Sequence, residues 1–104
     1  MKQVQKFKIL IDEKKFYEAH EALEEIWFPI RKKKNDCCMV LKGFINGAVC
    51  LELFKRGKLE QSKNVHKNYL KYVIQSRINN TKNKENFIEL KAFMDKKFSD
   101  TFKN

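Results

Sequence analysis

At 104 residues the chain has room for one domain, residues 1–104, burying about 65% of the surface its unfolded form would expose. Three glycines and one proline exclude an all-β design, which needs turn residues about every ten positions, so the expected fold is all-α: a single compact bundle of about five helices. The net charge is +10, but the lysines are spread along the chain apart from the short run Arg31–Lys34; this predicts a solvated surface with only weak, non-specific nucleic-acid binding.

Val4, Phe7, Leu10 and Ile11 give a short amphipathic first helix that ends near Asp12–Lys15. A second helix runs from about Phe16 to the region of Pro29, whose missing N–H ends or kinks it. On it Phe16, His20, Leu23, Trp27 and Ile30 fall at the alternating four-and-three spacing of one helical stripe. Lys32–Asn35 is a polar connection.

The third helix, about Asp36–Arg56, is apolar nearly all round, as the central helix of a bundle should be. Gly43 and Gly47 each cost about 1 kcal/mol of helix propensity relative to alanine, and close approach by a neighbouring helix is the return expected for them. Gly57 fits a left-handed C-cap. The fourth helix is expected over about Leu59–Arg77 with Leu59, Ser62, His66, Tyr69, Leu70 and Val73 inward. Asn79–Lys84 is the clear loop, and Phe87, Leu90, Met94, Phe98 and Phe102 make the stripe of a last helix.

Cys37, Cys38 and Cys50 are odd in number and sit on apolar helical positions outside any CxxC frame, which reads as reduced core thiols. With no signal-peptide pattern and no run near the ~18 apolar residues of a membrane span, the expected location is cytoplasmic, away from the membrane. Homo-oligomerisation stays open.

The residues with chemistry are His20, Glu21 and Glu24, an H-E-x-x-E pattern. The zincin pattern H-E-x-x-H binds Zn²⁺ through two histidines one turn apart, with the intervening glutamate as base. Here Glu24 replaces the second histidine, so His20 and Glu24 would chelate a divalent metal only with a further ligand; His66 is the best candidate and Glu52 a weaker one. His20, Glu21 and Glu24 are also the candidate catalytic set. Tyr17, Trp27, Asn46 and His66 are the side chains expected around a ligand pocket, with Tyr17 and Trp27 read as core or rim residues rather than as a stacking platform. The alternative is structural: a buried His20–Glu24–Asn46 cluster, each polar group hydrogen-bonded, locking the second helix to the third through Gly43 and Gly47.

The stretches FYEAHEALEEIW and LKGFINGAVCLELFKRG together resemble a small helical family known as domain of unknown function 309. That family shows an F-E-A-H-E-x-L-E-x-x-W helix, then a G-L-I-Q-x-A helix ending in R-G. Its characteristic positions fall on Glu18, His20, Glu21, Leu23, Glu24, Trp27, Gly43, Ala48 and Gly57. Asn46 stands where the family usually has glutamine, and Leu53 about where many members place a second histidine. The resemblance implies a compact helical bundle, and a label sometimes given to the family, metal-dependent hydrolase. Two functions therefore stand side by side. One is a binding or assembly module with a structural polar cluster, and the other a metal-dependent hydrolase-like enzyme using His20 and Glu24.

Overall fold

A computed structural model describes residues 1–103. Among these, six α-helices and one 3-10 turn build a compact bundle with a radius of gyration of 12.7 Å. Helix α1 spans Lys2–Asp12 and α2 spans Phe16–Trp27, with Phe28–Ile30 forming a single 3-10 turn around Pro29. Helix α3 is Asp36–Lys55, α4 Leu59–Tyr72, α5 Gln75–Asn79 and α6 Lys84–Phe102.

Helix α3 starts where Asn35 accepts a hydrogen bond from the Cys38 N–H at 2.9 Å, the side-chain cap that satisfies an otherwise orphaned donor. It ends before Gly57, whose φ of +80° is the left-handed conformation a C-cap requires. In between, Val40, Leu41, Phe44, Ala48 and Cys50 are buried, and α2, α4, α5 and α6 all pack on it. Its length and mean hydropathy of 1.6 would meet the requirements of a membrane span, contrary to the expectation that no segment would. In this fold the same apolar surface forms the centre of the bundle.

The glycines serve close approach, but not to α2. A Cβ on Gly43 would overlap Val73 Cγ2 and lie 2.9 Å from Tyr72 Cβ. A Cβ on Gly47 would lie 3.1 Å from Met94 Cε and 3.2 Å from Tyr69 Cδ1. The small-residue face of α3 therefore receives α4 and α6, and the expected α2–α3 lock through Gly43 and Gly47 is corrected.

The fourth helix also stops earlier than its pattern suggests. Val73 and Ile74 leave helical geometry, with ψ of 84° and 151°, as Val73 tucks against Gly43. The guanidinium of Arg77 then donates to the carbonyls of Lys71 and Tyr72 at 3.1 and 3.2 Å, satisfying the open end of α4. Leu59 and Leu70, expected inward, are exposed. The inward stripe runs through Ser62, Val65, Tyr69 and Val73. Buried polar groups on this flank have partners: Ser62 Oγ donates to the Cys50 carbonyl at 2.8 Å, and Tyr69 Oη to Asp95 Oδ1 at 2.8 Å.

Candidate functional site: the α2–α3 cleft

The buried residues of α2 are Ala19, Ala22 and Leu23. The core-facing side is thus turned away from the expected Phe16–His20–Trp27 stripe. Two alanines and one leucine let α2 sit close to α1 and α3, and the larger groups move to the edge of the interface. Phe16, His20, Trp27 and Ile30 are only partly buried there, and Trp27 packs against the core without entering it.

At that edge lies an open cleft of about 270 Å³ lined by Phe16, Tyr17 and His20 of α2 and by Val49, Glu52, Leu53 and Arg56 of α3. The walls are mainly apolar. The polar groups are His20 and an ion pair in which Arg56 Nε lies 2.5 Å from Glu52 Oε2. His20 Nε2 is 3.3 Å from Glu24 Oε2, with the two side chains 22% and 41% exposed. The ring of Tyr17 stands 5.7 Å from that of His20 and is itself 60% exposed. His20 Nδ1 is shielded from solvent and has no hydrogen-bond partner among the described residues, and neither has Trp27 Nε1. Buried polar atoms are seldom left so.

The structure brings together some of the residues singled out from sequence and separates others. His20 and Glu24 are neighbours, and Tyr17 and Glu52 share the cleft with His20. Glu21 is exposed on the outer surface of α2. Asn46 joins neither His20 nor Glu24; its amide donates to the Lys42 carbonyl of its own helix at 2.9 Å. The expected buried His–Glu–Asn cluster is therefore not formed, because an asparagine within a helix can satisfy itself on the preceding turn. His66 lies on the opposite side of α3, its ring 4.6 Å from that of Phe98, 5.3 Å from Phe102 and stacked on Tyr69.

A divalent metal would need more than this. His20 and Glu24 supply two donors, and the carboxylate of Glu52 is already held by Arg56. Among the described residues no three His, Cys, Asp or Glu side chains gather as ligands. The donor set does not fit a metal centre.

Sequence reasoning missed Val49, Leu53 and Arg56. The signal is present in their spacing, since 49, 53 and 56 continue one α3 face by steps of four and three, but on a helix that is apolar nearly all round nothing local sets that face apart. These features define the class: a small all-helical bundle with a side cleft between its second and third helices. A family model described as Domain of unknown function (DUF309) matches residues 4–65, more than half of the chain, and the protein belongs to that family. The matched segment contains every residue of the cleft. No curated protein and no solved structure matches the chain.

Proposed function

We propose that the protein is a non-enzymatic binding module of the cytoplasm whose receptor site is the α2–α3 cleft. The observation that carries this reading is the open, mainly apolar cleft itself, whose wall holds the His20 ring and the Glu52–Arg56 ion pair. The size of the cavity narrows the choice. Small-molecule and cofactor pockets run to roughly 300–1,000 Å³, so about 270 Å³ suits one large side chain of a partner better than a nucleotide or extended substrate. The three cysteines are free thiols, in keeping with a reducing compartment.

Saturation-transfer NMR with indole, a rigid apolar probe carrying one N–H, tests the reading. Transfer to indole is expected from the wild-type protein and lost in Leu53→Trp, which fills the cleft without adding charge. Equal transfer in both proteins would refute a binding role for the cleft.

A further inference from the structure

From Phe16 to Ile30 the chain carries Glu18, Glu21, Glu24 and Glu25 and no lysine or arginine, although its net charge is +10. Helix α2 is thus an acidic ridge on a basic protein. Glu24 stands on its cleft side beside His20. Glu18, Glu21 and Glu25 line a second depression, of about 280 Å³, with Lys6, Leu10 and Ala22 on the side of α1. Tyr17 and Phe28 stand at the two ends of the ridge, 60% and 57% exposed. The structure already shows what one of these rings accepts. The Arg31 guanidinium carbon lies 3.7 Å from the centroid of Phe28, and Arg31 Nη1 donates to the Phe28 carbonyl at 2.7 Å. Among the described residues no cation lies over the Tyr17 ring, which has Glu18 next to it and Glu21 one turn on.

We infer that α2 docks an arginine-rich segment of a partner protein, with guanidinium groups on Glu21, Glu24 and the Tyr17 ring and one apolar side chain of the segment seated in the cleft. This rests on the reading of the cleft as a receptor site. Arginine suits the ridge better than lysine, because its planar fork pairs with carboxylates and stacks on aromatic faces at once. The protein's own positive charge does not forbid the approach. At physiological ionic strength charges are screened beyond about 8 Å, so distant lysines do not govern the encounter; of the nearby cations, Arg56 is already paired with Glu52 and Lys6 lies on the α1 side of the ridge.

The test is fluorescence anisotropy with three labelled peptides: arginines around a central leucine, serines around the same leucine, and glutamates around it. The arginine peptide is expected to bind best and to weaken as salt rises. The double variant Glu21→Lys, Glu24→Lys changes one exposed and one half-buried position of α2; it should keep the helical circular-dichroism signal and lose affinity about tenfold, the sum of modest surface pairs broken and reversed. Tyr17→Ala gives an independent loss should the double variant fold poorly. If the serine peptide binds as well as the arginine one and Leu53→Trp abolishes both, the cationic partner is refuted while the cleft survives as a receptor. If Leu53→Trp alters no peptide's binding, the cleft reading falls and this inference with it. Tighter binding of the glutamate peptide would overturn the inference in favour of the lysine surface. Self-association in sedimentation that the double variant abolishes would overturn it in favour of a second copy of this chain.

Discussion

The two flanks of α3 differ in how they treat polar groups. Toward α4 and α6, glycines admit the neighbouring helices closely, and the buried hydroxyls of Ser62 and Tyr69 each reach an acceptor at 2.8 Å. Toward α2, half-buried side chains leave a cleft, and His20 Nδ1 and Trp27 Nε1 go without partners among the described residues. The first flank is built as a protein interior, dense and satisfied. The second is sealed only along Ala19, Ala22 and Leu23, and the larger groups at its edge leave an open cleft.

The sharpest break of that contrast is Gly43→Leu, where even a Cβ collides with α4. Overpacking of this kind should cost about 3 kcal/mol despite the better helix propensity, read as a lower urea midpoint. On the other flank Trp27→Ala should cost less, about 2 kcal/mol, below the ~3–5 kcal/mol of fully buried aromatics, because the indole is only half-buried. A larger loss from Trp27→Ala than from Gly43→Leu would invert the comparison.

Tyr69→Phe should cost about 1 kcal/mol, the net worth of one hydrogen bond, and change the alkaline limit of stability. Burial first, then the charge of Asp95 and the hydrogen bond to it, raise the Tyr69 pKa far above its ordinary value of 10. The unfolded chain therefore loses this proton first, so the contribution is complete below about pH 10 and is lost as pH rises beyond it. Tyr69→Phe should flatten that fall in thermal scans.

His66 gives the acid counterpart, with a smaller effect. Burial among Tyr69, Phe98 and Phe102 lowers its pKa from 6.5, against the opposing pull of Asp95. Here the unfolded chain takes up the proton first, so stability is full above about pH 6.5 and declines as pH falls through the lower folded value. His66→Gln should reduce that decline. The smallest effect is expected from Zn²⁺ or Mn²⁺, which should leave the melting temperature unchanged. A stabilisation seen in wild type and lost in both His20→Gln and Glu24→Gln would show a metal centre that two donors alone do not make.

Much of the fold was legible because its elements carry redundant local signals. The first, second, third and last helices follow from apolar periodicity, from Pro29 and from the Gly57 cap, each an observation of short range. The division of the fourth helix was not legible. It depends on Val73 meeting Gly43 and on Arg77 reaching back to Lys71 and Tyr72, and neither contact has a sequence period. The site was legible in part. His20 and Glu24 are neighbours by helical spacing alone, whereas the cleft arises from the rotation of α2, set by Ala19, Ala22 and Leu23. Asn46 and His66 share the polar character that suggested a site, but their positions around α3 and α4 point them elsewhere.

The most direct test of the contrast between flanks is methyl NMR of the protein titrated with the leucine-centred arginine peptide. Val49 and Leu53 line the cleft, whereas Val73 packs on the opposite, sealed flank. Saturable shifts of the Val49 and Leu53 methyl signals, with Val73 unmoved, are the predicted result. Shifts centred on Val73, or saturation without any change at Val49 and Leu53, would contradict it.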